Sequence, residues 1–244
     1  MTLTKEENIY MAKICEQTER FDEMVEYMRK VLTEADHLNT EERNLLSVAF
    51  KNSVGTRRTA WRIASSLENK EESKGGKNVK LVKDMKTKLE GELDEICNEI
   101  IGLLDSKLIE SAKEEAEKIF YIKMKADYYR YIAEYAQGGQ KKKVVDEAHQ
   151  AYKDANEIST KGLKPTNPIR LGLSLNYSVF FYESLDDKDK ACEFAKQAFD
   201  DAIAEIDQLE EDDYKDSTTI MQLLRDNLTL WESERNEEGE EDED

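Results

Sequence analysis

Lys51, Arg58 and Arg62 follow one another at spacings of seven and four residues, which sets three cations along one stripe of a helix. A second helix-like stretch, Lys123 to Glu134, puts Lys123, Asp127, Arg130 and Glu134 on one face with Tyr131 at its edge. Ammonium, guanidinium and phenol groups all donate hydrogen bonds to an oxyanion, and neighbouring carboxylates can hold those donors in position. The chain around them has a formal net charge of -19. In such a field diffuse positive charge would be neutralised, so cations focused on single faces point to a selective anion site. One or two phosphate groups fit that chemistry.

Two further stretches carry mixed faces. Gly172, Leu175, Asn176, Val179 and Glu183 share an arc of about 100° on one helical wheel. Thr219, Ile220, Leu223, Asn227, Leu230 and Trp231 share about 120° on another. Each face joins apolar side chains to an asparagine, whose amide offers both donor and acceptor and so matches the C=O and N–H of an extended peptide. A basic wall opposite an asparagine-bearing apolar wall is the chemistry of a phosphopeptide groove.

The elements that position these groups are helices. With two prolines, ten glycines and 37% charged residues in 244, the composition favours long helices over sheet. Turn chemistry clusters at His37 to Asn39, Ser73 to Lys77, Gly138-Gly139, Gly162 to Asn167, Asp186 to Asp189 and Glu210 to Asp216. Further breaks near Glu19 to Asp22 and Ser106 to Ser111 give about nine antiparallel helices forming a concave amphipathic groove. Thr4 with Glu7, and Asn39 with Glu42, have capping-box spacing, and Asn167-Pro168 reads as an N-cap followed by proline at the first helical position. On the long helix from Asn39 to about Glu72, Phe50, Val54, Trp61 and Ala64 form the core stripe, and the three cations flank it. The segment Ile169 to Glu183 is apolar nearly all round, so it is expected to be buried, with Asn176 and Glu183 as its polar exceptions. Residues 1–231 read as one helical domain. From Glu232 to Asp244, nine acidic residues against one arginine predict a disordered acidic tail.

Composition also narrows the function classes. The acidic balance opposes phosphate-backbone binding to nucleic acid and attraction to anionic membranes. No run approaches the roughly 18–20 apolar residues of a membrane span, and the N-terminus has no apolar signal segment, as expected of a soluble intracellular chain. Cys15, Cys97 and Cys192 are few and far apart, which suits buried thiols in a reducing compartment and no metal pair. His37 and His149 lack ligand spacing and read as surface histidines. Gly75-Gly76-Lys77 lacks the frame of a phosphate-binding loop, and Lys141 to Lys143 reads as a solvated helix start.

The stretches Arg43-Asn-Leu-Leu-Ser-Val-Ala-Phe-Lys-Asn52, Val54-Gly-Thr-Arg-Arg-Thr-Ala-Trp-Arg62, Phe120-Tyr-Ile-Lys-Met-Lys-Ala-Asp-Tyr-Tyr-Arg-Tyr131, Pro168-Ile-Arg-Leu-Gly-Leu-Ser-Leu-Asn-Tyr-Ser-Val179 and Asp216 to Trp231 closely resemble the 14-3-3 proteins. The resemblance runs from about Glu7 to Trp231. It implies a cytoplasmic, partly nuclear adaptor, without cofactor, metal or catalytic step, that binds Ser/Thr-phosphorylated client proteins. By the same resemblance, Lys51, Arg58, Arg130 and Tyr131 hold the phosphate; Arg62, Asp127 and Glu134 orient the site. Lys123, Gly172, Leu175, Asn176, Val179, Glu183, Ile220, Leu223, Asn227, Leu230 and Trp231 contact the peptide. The family dimerises, and the matching positions are Ile14, Cys15, Thr18, Ala60, Ala64 and Met85, with cross-protomer pairs Arg20 to Glu92 and Glu23 to Lys88. A homodimer, or a heterodimer with a related chain, is therefore implied. Met85, Ala60, Thr219 and Ala126 stand where Tyr, Ser, Leu and Gly are usual in the family.

Taken without the resemblance, the residues leave other readings open. Lys51, Arg58 and Arg62 would be a solvated helix face, Tyr128 and Tyr129 core packing, and Leu223 and Leu230 ordinary core. A phosphate-independent helical scaffold is the competing function, and an enzyme would require a nucleophile or metal constellation that the spacings do not indicate.

Overall fold

The long helices of this chain begin where its capping residues stand. The computed structural model describes residues 3–209 and 211–241. It divides into two compact units, Met1–Ser111 and Ala112–Asp244. Among the described residues there are nine helices of more than ten residues and no strand.

In the first unit these are α1 (Lys5–Gln17), α2 (Phe21–Glu34), α3 (Thr40–Ser73) and α4 (Val79–Leu103). Both predicted capping boxes form: Thr4 and Glu7 exchange side-chain and backbone bonds at the start of α1, and Asn39 and Glu42 do the same for α3. α3 packs against α1, α2 and α4, and Phe50, Val54 and Ala64 of the predicted core stripe are buried. Trp61 sits at the boundary instead, its indole N–H donating to Glu90 at 2.8 Å. After α4 the backbone widens into a π-helical turn, Leu104–Leu108, where the ammonium of Lys107 donates to the Leu32 carbonyl and satisfies the end of α2.

The second unit contains α5 (Glu115–Tyr135), α6 (Gly138–Gly162), α7 (Pro168–Ser184), α8 (Lys188–Ala204) and α9 (Glu211–Glu241). α5 packs along α6, and α7 lies against both of them and against α8 and α9. α6 buries Val144, Ala148, Ala151, Tyr152, Ala155 and Ser159, a stripe of small residues around one large ring. The alanines allow close approach to α5, and Tyr152 fills the space that remains. Asn167 caps α7 by accepting from the Ile169 and Arg170 amides, with Pro168 following as expected.

Three sequence expectations change here. The break placed at Glu210 to Asp216 lies earlier, around a 3₁₀ turn at Ile206–Gln208, and Asp213 falls in the first turn of the helix that follows, where the N-terminus favours negative charge. α9 continues to Glu241, so Glu232 to Glu241 is helical where acidic composition predicted disorder; 242–244 lie outside the described residues. Its anchors are Trp231, stacked on Tyr182, together with a Tyr182–Glu234 hydrogen bond and an Arg235–Asp189 ion pair.

The third change concerns His149, which is half-buried among Tyr177, Phe180 and Phe181, with ring centroids 6.0, 5.8 and 5.9 Å away. Burial first, then Lys190 and Lys153, push its pKa below the ordinary 6.5 against the opposing pull of Asp146. The unfolded chain therefore binds the proton more readily, so stability from this group is present above about pH 6.5 and lost as the pH falls below it. His149→Gln is expected to flatten that part of the stability profile, measured as urea midpoints at pH 7.5 and pH 5.5. A parent-like slope in the variant would contradict the assignment.

Candidate functional site

In the first unit, α3 carries Lys51 and Arg62 exposed and Arg58 half-buried on the flank beside the core stripe. The neighbouring Arg57, about 100° away around the helix, is used internally. Its Nε donates to Glu92 at 2.9 Å and its Nη1 to Asp22 at 2.8 Å. Adjacent arginines thus have different tasks, one tying α3 to α2 and α4 and the other turned to the cationic flank. Sequence spacing marked Arg58 and missed Arg57.

In the second unit α5 supplies Lys123, Asp127, Arg130 and Tyr131, and α7 supplies Asn176 and Glu183. Asp127 is the centre of this group. Its carboxylate accepts from Lys123 Nζ at 2.9 Å, from Asn176 Nδ2 at 2.8 and 2.9 Å, and from the Tyr152 hydroxyl. Arg130 Nη2 approaches it at 3.5 Å, Arg130 Nε donates to the Tyr152 hydroxyl at 3.1 Å, and Nη1 lies 3.6 Å from Glu183. The guanidinium also lies over the Tyr131 ring, 4.9 Å from its centroid. Every nitrogen of Arg130 therefore has an orienting neighbour, and the residue is 7% exposed.

Burial would raise the Asp127 pKa, but the charges of Lys123 and Arg130 and the Tyr152 and Lys123 hydrogen bonds outweigh it and hold the carboxyl below its ordinary range. Burial likewise works against the Arg130 charge and is outweighed by Tyr152, Tyr131 and Asp127, which keep it fully cationic. A fixed cation beside a fixed carboxylate suits an anion that approaches from the guanidinium side. Asn176 directs its N–H₂ to Asp127, which turns its carbonyl oxygen away from the carboxylate as an acceptor for a ligand N–H.

The expected peptide face gathers nearby. A Cβ built on Gly172 would lie 3.8 Å from Lys123 Cε and 3.9 Å from Ile220 Cδ1, so α5, α7 and α9 converge at that glycine. Leu175 and Val179 are half-buried on α7, and Leu223 and Leu230 are 46% and 54% exposed on α9, with the half-buried Asn227 between them. These leucines are not the ordinary core that their residue type alone suggests. Thr219 returns its hydroxyl to the Lys215 carbonyl at 2.7 Å. Trp231, expected at the peptide, has its ring stacked on Tyr182 at 4.8 Å, is 5% exposed and anchors α9. Glu183, expected at the peptide, faces Arg130. Glu134 is half-buried one turn beyond Arg130.

The dimer positions divide similarly. Ile14 and Ala60 are half-buried, and Thr18, Arg20, Glu23, Met85 and Lys88 are exposed. Cys15 and Ala64 are buried. The expected partners are engaged within the chain, Arg20 with Glu23, and Glu92 with Arg57 and, more distantly, Lys88.

The network joins α5, α6 and α7 of a chain that matches the family model described as 14-3-3 protein over residues 11–232. The chain belongs to the 14-3-3 family. It is 56% identical to the 14-3-3-like protein GF14 psi of Arabidopsis thaliana over 97% of this chain and 94% of that one. It is also 56% identical to 14-3-3 protein 6 of Solanum lycopersicum, over 98% and 94%, and to 14-3-3-like protein B of Hordeum vulgare, over 98% and 93%. The 14-3-3 family is one of phosphopeptide-binding adaptors, and the all-α, nine-helix architecture agrees with that membership. Among the described residues no helix is long and apolar enough to cross a membrane.

Proposed function

We propose that this 14-3-3 chain is a phosphoserine- and phosphothreonine-dependent adaptor that binds phosphorylated segments of client proteins and thereby regulates their activity, location or assembly. The observation that carries the reading is the buried Asp127 network, which holds Arg130 and Asn176 in fixed orientations. Lys51, Arg58, Arg130 and Tyr131 bind the phosphate, with Arg62, Asp127 and Glu134 orienting them. Asn176 and Asn227 hydrogen-bond the peptide main chain beside Leu175, Val179, Ile220, Leu223 and Leu230. A phosphomonoester carries about -1.5 to -2 charge and three acceptor oxygens, which matches multiple cationic donors better than a carboxylate does.

The protein acts in the cytoplasm as an adaptor without a catalytic step. It dimerises through α1, α3 and α4 of the first unit, where Tyr10, Ile63, Leu67, Leu81 and Met85 are exposed apolar side chains. Two sites on one dimer raise the effective concentration of a second phosphosite into the millimolar range.

The reading is tested by fluorescence anisotropy with paired phosphorylated and unphosphorylated Arg-Ser-x-Ser-x-Pro peptides. Binding of the phosphopeptide alone is expected, and a glutamate-substituted peptide is expected to behave like the unphosphorylated one. Equal affinity for all three would favour a phosphate-independent scaffold.

A further inference from the structure

Tyr152 lies on α6, outside every segment whose spacing suggested chemistry, yet its hydroxyl occupies the middle of the Asp127 network. It donates to Asp127 and accepts from Arg130 Nε–H. The direction of this relay is dictated by the partners: an ionised carboxylate can only accept, a guanidinium N–H can only donate, and a phenol does both through one atom. The hydroxyl stays protonated because burial, Asp127 and their hydrogen bond push its pKa well above the ordinary 10.0, against the pull of Arg130. The ring is fixed as firmly as the hydroxyl. It stacks on Tyr177 at 5.1 Å with 15° between planes, touches Phe180, and is fully buried.

Asp127 also binds Asn176, so one carboxylate connects the phosphate cation to the main-chain amide. Lys123 holds the same carboxylate from the opposite side of the helix turn and Glu183 faces the far nitrogen of Arg130. Nε is the guanidinium atom nearest the backbone, so its partner sets the rotation of the plane about the side chain. Neither Asp127 nor Glu183, which meet the outer nitrogens at 3.5 and 3.6 Å, fixes that rotation as directly as the 3.1 Å bond from Nε. We propose that Tyr152 is a positioning residue for phosphate recognition, a hydroxyl relay that sets the plane of the Arg130 guanidinium and ties it through Asp127 to Asn176. The inference rests on the phosphopeptide-binding reading of Arg130.

The test compares the full-length parent with Tyr152→Phe, Arg130→Ala, the double variant and Tyr177→Phe. Tyr152→Phe keeps the stacked ring and removes only the relay, and Tyr177→Phe makes the same chemical change in the same aromatic cluster. Phosphopeptide affinity is expected to fall roughly tenfold in Tyr152→Phe and to stay at the parent value in Tyr177→Phe. In the double variant the loss is expected to equal that of Arg130→Ala alone, because the relay acts through Arg130. Side-chain ¹⁵N NMR of the ligand-free protein supplies a second readout: the Arg130 Nε–H resonance is expected to shift and to exchange faster with water in Tyr152→Phe. A tyrosine analogue fluorinated at position 152, which retains the hydroxyl, is expected to restore both.

Parent-like phosphopeptide affinity in Tyr152→Phe, while Arg130→Ala binds poorly, would overturn the proposal. So would losses that add in the double variant, which would assign Tyr152 a general structural effect. If Arg130→Ala binds the phosphopeptide like the parent, the phosphate assignment itself fails. The relay then stands if the Nε–H resonance changes in Tyr152→Phe and falls if it does not. Should Tyr152→Phe fail to fold, the fluorinated protein and Arg130→Ala decide together: the fluorinated protein is expected to keep the parent's phosphopeptide affinity while ring-fluorine coupling or a fluorine shift on binding reports the hydroxyl's contact with the Arg130 Nε–H, and a fluorine resonance that does not respond to Arg130→Ala overturns the relay.

Discussion

Asp127→Ala is expected to destabilise the second unit by about 3–5 kcal/mol, the usual consequence of removing one partner from a buried charge cluster. The carboxylate accepts from the half-buried Lys123 and Asn176 and from the buried Tyr152, and lies beside the buried Arg130, so truncation removes an acceptor from all of them together. Arg130 cannot escape to water without leaving its place over the Tyr131 ring, and it cannot lose its proton. Urea unfolding should show the loss as a lower midpoint at similar m-value. The pH dependence gives an independent check. With the Asp127 pKa held below its ordinary 3.8 in the folded chain, its stabilisation is present above that value and is lost as the pH falls through the lower folded pKa. The gap between parent and variant should therefore be widest near neutrality and narrow below about pH 4. An unchanged midpoint at pH 7 would show that the cluster contributes little to folding.

How much of this was legible depended on whether the cause was local. The α1 and α3 starts were readable because a capping box is complete within four residues, Thr4 to Glu7 and Asn39 to Glu42. The core stripe of α3 was readable because Phe50, Val54 and Ala64 keep helical period. The resemblance then supplied the site residues that periodicity could only group. Tyr152 escaped because its partners lie 22 and 25 positions back on another helix, and it is one of eleven tyrosines. A usable sign was present: a single large ring set among Ala148, Ala151 and Ala155 on a core face has to reach the facing helix, and its hydroxyl has to find a partner there.

Other misreadings came from composition overriding context. The want of a metal spacing points His149 to the surface, although Tyr177, Phe180 and Phe181 lie on the helix that packs beside it. Residues 232–241 were read as unstructured from charge alone, whereas a helix already formed through Leu224 and Trp231 extends into them, with Glu234 and Arg235 each bonded to neighbouring helices. The half-exposed leucines at 223 and 230 show the reverse case, apolar residues that helical period alone would bury. Their exposure beside Asn227 is what a ligand-covered face requires.

Replacing Arg58 and Arg130 together by alanine is expected to weaken phosphopeptide binding by roughly a hundredfold to ten-thousandfold, on the basis of about 1.5–3 kcal/mol for each charge-assisted contact removed. The two single substitutions should differ in kind. Arg58 is half-buried at the edge of the α3 core stripe, and Arg58→Ala should reduce affinity with little change in stability. Arg130 is enclosed by Asp127, Tyr152, Glu183 and the Tyr131 ring, so Arg130→Ala should reduce both. Unphosphorylated peptide provides the reference, since a loss confined to the phosphorylated form belongs to the phosphate and an equal loss in both belongs to the fold. Salt adds a second axis: the phosphopeptide preference should decline as ionic strength rises in the parent and be nearly salt-independent in the double variant. Retention of the preference in the double variant would move phosphate recognition away from these arginines, and Asp127 would then remain as the organiser of a structural cluster alone.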